Sequence, residues 1–385
     1  MKIIKQISAI AICIIMLIAC KKDINPTADT GTTENSLNED AGRYLNNSRH
    51  IYTQSNQTNG NKIMVYKKLN NGQLQYMASY PTGGNGTGGG LGNQGSVTIS
   101  DNGQLLFAVN AGSNSVSLFR ITSQGLQLAC TAPSGGIRPV SVTQHGKFVY
   151  VLNAGGEGNI SGFTIGHNQQ LSAIANSIKP LSSPSAAAAQ ISFTRNGNVL
   201  VITEKASNKI ISYTINSYGI PGIMHQITSA NATPFGFATG RFGNIYVSEA
   251  AGGMPNASTV SSYKVRADGF ITLTQGPVGT NQTAACWVVI TKNNRYAYTT
   301  NTASNTISSF NIHSYSGNLN LQSDIATTTE AGPIDAAVSS DSKFLYVLTG
   351  ASNTIQSFRI GQSGALSHIQ TITGIAAGAN GLAAE

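Results

Sequence analysis

The sequence predicts an all-β fold, a seven-bladed β-propeller with four strands in each blade. The first observation is an internal repeat, in which residues 301–312 recur at 349–360 with eight of twelve residues identical. The second is its period, because the aromatic residue that closes each copy recurs at intervals of 44 to 53 residues. Periods of about 45 residues are typical of four-stranded blades. The seven closing aromatics are Tyr66, Phe119, Phe163, Tyr213, Tyr263, Phe310 and Phe358.

Short runs of β-branched and aromatic residues predict the strands within the copies. Six of these runs are residues 105–109, 148–152, 199–203, 245–248, 296–300 and 344–348. Turns such as Asn102-Gly103 and Asn196-Gly197 precede them, and these residue types tolerate the positive φ of a tight hairpin. The chain carries no amphipathic stretch of helical period after residue 20, so helical repeats are excluded.

The ends of the repeat region predict how the ring closes. The first copy begins at residues 50–53 with the second strand of a blade, and no inner strand precedes it. Residues 376–384 follow the last outer strand, where an eighth inner strand would begin. We expect this tail to pair with the strand around Ile51, because closure removes the exposed edges of an open propeller.

The N-terminus predicts export and a lipid anchor. Lys2 and Lys5 precede an apolar run at 7–18, which is typical of a signal peptide spanning residues 1–19. The segment Leu17-Ile18-Ala19-Cys20 resembles the bacterial lipobox, and this implies cleavage before Cys20 and its acylation. An uncleaved signal anchor is the alternative. No aspartate directly follows Cys20, which by the same resemblance favours the outer membrane of the cell envelope.

Three regions follow: the signal peptide at 1–19, the acylated cysteine with a polar tether at 20–48, and one propeller at 49–385. Loss of Lys2 and Lys5 leaves 21 basic and 15 acidic side chains, a net charge of +6. No run of Lys or Arg is longer than two, so we expect no nucleic-acid partner. Cys130 and Cys286 fall four blades apart, which argues against a disulfide. The six histidines show no zinc-binding spacing, so no metal site is predicted from them.

Polar residues at the ends of the second strands predict a ligand site at one mouth of the propeller. These residues are Asn110, Asn153, Glu204, Glu249, Asn301 and Thr349. Such a ring could orient a polar ligand, bind Ca²⁺ or supply a general base. The alternative is structural, since asparagine at a strand end often bonds its own turn. Neighbouring connections add Arg138, Lys205 and Asp335, whereas Trp287 is expected to pack between blades.

The repeat resembles a known family. The first half of the pattern is Asn-Gly, a polar residue, two apolar residues, Tyr or Phe, Ala or Val, and Val-Asn. A turn follows. The second half is Asn, then Ser or Thr, then Val or Ile, then Ser, an apolar residue and a closing Phe or Tyr. This pattern resembles the seven-bladed lactonases, which include propeller-type 6-phosphogluconolactonases and carboxymuconate cyclases. The resemblance covers residues 50–385 and implies Glu204 as the family glutamate. The family arginine position falls at Ala188, so its Arg-His pair is absent.

Three functional hypotheses remain open from the sequence. The first is a lipid-anchored binding propeller that holds a polar ligand or a partner protein at the cell envelope. The second is a lactonase that acts through Glu204, with Glu249 nearby and with Arg138 or Lys205 replacing the missing arginine. The third is a Ca²⁺-dependent hydrolase built on the Glu and Asn ring. No other cofactor is expected.

Overall fold

The computed structural model describes residues 49–313 and 315–385, and these form seven antiparallel sheets. The innermost strands of the sheets contact one another in sequence around a closed ring. Each sheet has four strands, labelled A to D from the centre outwards, except that two short strands share the outer position of blade 3. The predicted all-β, seven-bladed propeller is therefore confirmed.

Strands A and B form the inner half of each blade. From blade 1 to blade 7, strands A are Asn380–Ala384, Val97–Ile99, Ile137–His145, Ala188–Phe193, Pro234–Thr239, Ala285–Ile290 and Pro333–Val338. Strands B are His50–Gln54, Leu105–Asn110, Phe148–Gly155, Val199–Glu204, Asn244–Glu249, Tyr296–Asn301 and Phe344–Thr349. Two 3₁₀ turns lie in blade 5, at Arg241–Gly243 and Ala251–Gly253.

Strands C and D form the outer half. Strands C are Lys62–Lys68, Ser115–Thr122, Asn159–Ile165, Lys209–Ile215, Thr259–Val265, Thr306–Ile312 and Thr354–Ile360. Strands D are Leu74–Pro81, Gly125–Pro133, Leu171–Ala173 with Lys179–Pro180, Pro221–Thr228, Ile271–Gly279, Leu319–Thr328 and Leu366–Ile372. Since the strands are antiparallel, the A-to-B and C-to-D turns share one face, here the lower face. The B-to-C and D-to-A connections share the upper face.

The core lies between blades rather than within them. All six positions of strand B in blade 4 are buried, and alternate side chains of a strand point to opposite faces of its sheet. Val199 and Val201 pack in a cluster with residues of blade 5. Leu200 and Ile202 belong to the cluster that contains blades 2 and 3. Each blade therefore depends on both neighbours for burial of its apolar faces.

The turns have the backbone geometry that their residues predict. In the A-to-B turns, φ is +71° at Gly103, +72° at Gly197 and +63° at Asn294. Asn114 and Asn208 adopt φ of +52° and +54° in two of the B-to-C turns. Asparagine tolerates this left-handed conformation better than most residues with a Cβ.

The C-terminal strand closes the ring, as the sequence predicts. Asn380–Ala384 pairs antiparallel with His50–Gln54, with Ala383 opposite Tyr52. Glu385 extends the closure, because its carboxylate accepts a 2.9 Å hydrogen bond from the backbone N–H of His50 and a 2.8 Å bond from the Tyr52 hydroxyl. Blade 1 is thus assembled from both ends of the propeller.

Candidate functional site

The predicted ring of asparagines lies in the seams between blades. Asn110 donates hydrogen bonds to the hydroxyls of Ser115 and Ser117 on strand C, and it accepts one of 2.7 Å from Thr82 in the preceding D-to-A connection. Asn153 and Asn301 bond side chains on strand C of their own blades in the same way. These amides connect strand B to its surroundings, and their predicted ligand-binding role stays a prediction.

Glu249 occupies the same position in blade 5 and is fully buried. Its Oε1 accepts hydrogen bonds from the hydroxyls of Ser229, at 2.7 Å, and Tyr263, at 2.9 Å. Its Oε2 accepts from Thr259, at 2.6 Å, and Ser261, at 2.7 Å. Burial raises the pKa of Tyr263, and the charge of Glu249 raises it further. Four hydroxyl donors therefore replace the water that this buried carboxylate has lost.

Glu204, the predicted family glutamate, is also fully buried. Its Oε1 accepts a 2.8 Å bond from the backbone N–H of Ser182, while its Oε2 accepts from the hydroxyls of Ser182 and Ser207, the latter at 2.6 Å. These hydrogen-bond partners differ completely from those of Glu249. The structure thus places the two glutamates in separate seams rather than in one shared pocket.

Lys205 lies beside an aromatic ring on the upper face. Its ammonium is 4.8 Å from the centre of the Phe235 ring and donates to the carbonyl of Gly92. The Phe235 ring lies 4.9 Å from that of Trp287, whose indole N–H donates a 2.7 Å bond to the Asn93 carbonyl. Trp287 therefore packs between blades, as expected. We call the space around Lys205, Phe235 and Trp287 the upper recess.

A loop that the sequence analysis overlooked covers this recess. Residues 82–96 connect blades 1 and 2 and contain eight glycines, and we call this segment the glycine-rich loop. The Gln94 carboxamide accepts from the backbone N–H of Val288, at 3.3 Å, and donates to its carbonyl, at 3.1 Å. Val288 belongs to blade 6, so the loop reaches across the channel. A Cβ at Gly236 would lie 1.9 Å from the Gln94 oxygen, so glycine there makes room for the crossing.

The central channel opens instead on the lower face. The A strands line a narrow channel of about 270 Å³ that runs from Gln94 to Lys292. It meets a wider cavity of about 920 Å³ at the lower face, whose walls include Arg49, Arg195 and Lys292. Partial desolvation lowers the pKa of Lys292, and the nearby Arg195 charge lowers it further, while the Lys292 side chain stays in contact with solvent. We call this space the lower mouth.

The two remaining predicted residues lie apart from the glutamates. Arg138 is exposed at the start of strand A of blade 3, with φ of +55°, and its backbone N–H bonds the Asn114 side chain at 2.8 Å. Asp335 is buried in strand A of blade 7 and accepts bonds from the backbone N–H groups of Ala336 and Leu382. Burial without a cation raises the pKa of Asp335 well above its usual range.

Cys20 and the predicted signal peptide and tether lie outside the described residues. Within 49–313 and 315–385, no three His, Cys, Asp or Glu side chains lie close enough to share a metal ion. A calcium ion there would rely mainly on amide and hydroxyl oxygens. No helix in the same ranges is long and apolar enough to cross a membrane.

Comparison with known families agrees with this architecture. The family model for the seven-bladed β-propeller lactonases matches residues 42–180 and 247–379, which is more than half of the chain. The chain belongs to this lactonase family. No curated protein matches it.

Solved structures similar to this lactonase-family chain share its fold at low sequence identity. A periplasmic gluconolactonase from Pseudomonas aeruginosa is 15% identical, with a TM-score of 0.68, and the match covers 88% of this chain and 99% of that one. A candidate 6-phosphogluconolactonase from Bacteroides fragilis is 18% identical, with a TM-score of 0.68 over 88% and 98% of the two chains. A protein from Lactobacillus plantarum has a TM-score of 0.71 at 16% identity, over 88% and 99%.

The contacts of Glu249 predict a role in stability. Glu249→Gln replaces one acceptor oxygen by an amide that cannot accept the hydroxyl bonds of the carboxylate, so we expect a loss of about 2 kcal/mol in the free energy of unfolding. Urea unfolding measures this loss, and Glu157→Gln, at an exposed turn, is the control. If Glu249→Gln and Glu157→Gln are equally stable, Glu249 does not have this role in stability.

The buried carboxyl of Asp335 predicts a pH-dependent stability. Because its pKa is raised in the folded state, the fold favours the protonated form and loses stability as pH rises above the ordinary carboxyl pKa of about 4. Asp335→Asn keeps an acceptor oxygen but cannot ionise. Urea unfolding at pH 5 and pH 8 should therefore show the variant gaining stability relative to wild type at the higher pH. If the difference in unfolding free energy between the variant and the wild type is the same at both pH values, Asp335 does not cause a pH-dependent stability.

Proposed function

We propose that this chain is a lactone hydrolase whose substrate binds in the upper recess. The observation that carries this proposal is the position of Lys205, which follows the family glutamate and holds its ammonium beside the Phe235 ring, itself packed on Trp287. Family membership supports a lactonase. A cation at this place supplies the positive charge that lactone opening requires at the carbonyl oxygen, in place of the absent family arginine.

In this mechanism Lys205 stabilises the oxyanion that forms when water attacks the lactone carbonyl. Glu204 takes the proton from that water, which replaces the Ser207 hydroxyl as one of its donors. The proton then passes to the ring oxygen as the C–O bond breaks, so the product is a hydroxy acid. Ser182 keeps Glu204 oriented through its backbone N–H and its hydroxyl.

The glycine-rich loop has to move before a lactone reaches Lys205. Asn93 and Gly92 occupy the positions next to Trp287 and Lys205. Glycine residues lower the conformational barriers of a loop, and such loops commonly act as lids over active sites. The loop would thus open for substrate and then exclude water from the recess.

A second candidate function is a binding propeller without turnover. The observation that favours it is that both carboxylates already accept several hydrogen bonds from the protein, three at Glu204 and four at Glu249. A substrate or a water molecule would have to displace one of these donors before it could bind the carboxylate. The ligand would then be a polar small molecule or a partner protein in the cell envelope.

Hydrolysis of a panel of aldonolactones by residues 27–385 separates the two functions. If the chain is a lactonase, Lys205→Gln should lower kcat/KM about 100-fold, as loss of an oxyanion donor does, and Glu204→Gln should abolish turnover. Glu157→Gln is the control, and the unfolding midpoints of all variants are compared. EDTA sensitivity would favour the calcium-dependent hydrolase. If the wild-type protein hydrolyses no lactone faster than the uncatalysed rate, the binding propeller is the function that remains.

We also propose that acylated Cys20 attaches the propeller to the outer membrane, on the basis of the lipobox resemblance. Strand B of blade 1 starts at His50 on the lower face, so this face would lie nearest the anchor. Cys20→Ser should move the protein from the membrane fraction to the soluble fraction. Cys13→Ser, within the same signal peptide, is the control and should leave the protein in the membrane fraction. A Cys20→Ser protein that stays membrane-bound and acylated would exclude this anchor.

A further inference from the structure

The lower mouth is the open end of the central channel and lies on the face opposite the upper recess. Its cations come from separate parts of the ring. Arg49 precedes strand B of blade 1, Arg195 lies in the A-to-B turn of blade 4, and Lys292 lies in the same turn of blade 6. Ring closure therefore brings together charges that are far apart in the sequence.

Arg195 and Lys292 face this cavity without a carboxylate partner. In the part of the chain that the structure describes, neither forms an ion pair, although other cations of the lower face do. Lys68 lies 3.6 Å from Asp341, and Arg266 lies 2.6 Å from Asp268. Partial desolvation lowers the Lys292 pKa, and the Arg195 charge lowers it further, so the two cations interact with each other. Arg49, Arg195 and Lys292 outnumber the two carboxylates of the lining, Asp101 and Glu385, so the cavity has a small excess of positive charge.

The acidic residues of the cavity are engaged elsewhere. Asp101 lies 2.9 Å from the His145 ring nitrogen. The Glu385 carboxylate accepts hydrogen bonds from the His50 backbone and the Tyr52 hydroxyl at the ring closure. Neither carboxylate is within ion-pair distance of Arg195 or Lys292. In the described chain, no carboxylate therefore pairs with either cation.

The rest of the lining suits a hydroxylated ligand. Asn102, Thr239 and Ser340 are polar residues of the cavity lining. A volume of about 920 Å³ is within the range of small-molecule sites. Gln94 closes the far end of the channel, so a ligand enters from the lower face alone.

We propose that the lower mouth binds a small organic anion, a phosphate or carboxylate on a hydroxylated carbon skeleton. Arg195 and Lys292 contact the anionic group, and Arg49 lies at the rim, where it is 3.6 Å from the Asp341 carboxylate. Charge-assisted hydrogen bonds of this kind are stronger than neutral ones, and the arginine can hold two oxygens at once. The site is separate from the upper recess and does not depend on lactone hydrolysis.

Calorimetric titration of the protein with glucose 6-phosphate, glucuronate and glucose tests this site. The first two sugars carry a phosphate and a carboxylate, and glucose is the neutral match. We expect saturable binding of at least one anionic sugar, with a dissociation constant below about 1 mM, and no binding of glucose. Binding of one anion alone identifies the preferred anionic group.

Substitutions locate the bound anion. Arg195→Gln and Lys292→Gln should each weaken binding about 10-fold, and the double variant should abolish it. Lys147→Gln is the matched control, because Lys147 is exposed in the A-to-B turn of blade 3 and lies outside the cavity. Lys205→Gln separates the two faces and should leave binding unchanged.

Three results would overturn the proposal. The first is the absence of saturable binding by both anionic sugars. The second is equal weakening by Lys147→Gln and Lys292→Gln, which would show a general effect of surface charge. The third is loss of binding in Lys205→Gln alone, which would place the anion in the upper recess. Urea unfolding of each variant shows whether it remains folded.

Discussion

Contact between neighbouring inner strands is the constraint on which the whole propeller depends. These strands belong to different sheets, so side chains rather than backbone ladders join them. The Gln190 carboxamide bonds both the N–H and the carbonyl of Phe237 in the next blade, at 2.7 and 2.9 Å. Asp335 bonds the Leu382 N–H at the last seam. Because no blade buries its faces alone, apolar packing between blades and bonds of this kind together hold neighbouring blades against each other.

The same constraint explains why polar residues end the B strands. A seam between two blades buries the D-to-A connection of one against the B-to-C turn of the next, and the side-chain hydroxyls buried there need hydrogen-bond partners. Asn110 serves this need with an amide, and Glu249 serves it with a carboxylate surrounded by hydroxyls. A glutamate at the end of a B strand, where other blades have asparagine, is therefore compatible with a structural role as well as with catalysis.

The central channel has two chemically different ends. The upper end is covered by the glycine-rich loop, where Gln94 spans the channel to Val288. The lower end is open and carries Arg195 and Lys292. A propeller usually offers one ligand face, and the sequence placed it at the upper end. In this chain the crossing loop separates the two faces, so a ligand at one end cannot pass through the channel to the other, and each end has its own proposed ligand.

The sequence by itself determined the number of blades, the turns and the closing strand. Each follows from local rules, because the period-2 pattern sets the strands and glycine or asparagine sets positive φ, as at Gly103 and Asn294. Candidate residues such as Glu204 could be placed at a strand end, but their surroundings could not. Only the closed ring decides which seam Glu204 enters, where Gln94 crosses and which cations meet at the lower mouth. Gln94 and Val288 are 194 positions apart, and Arg195 and Lys292 are 97 apart, so no local pattern encodes these relations.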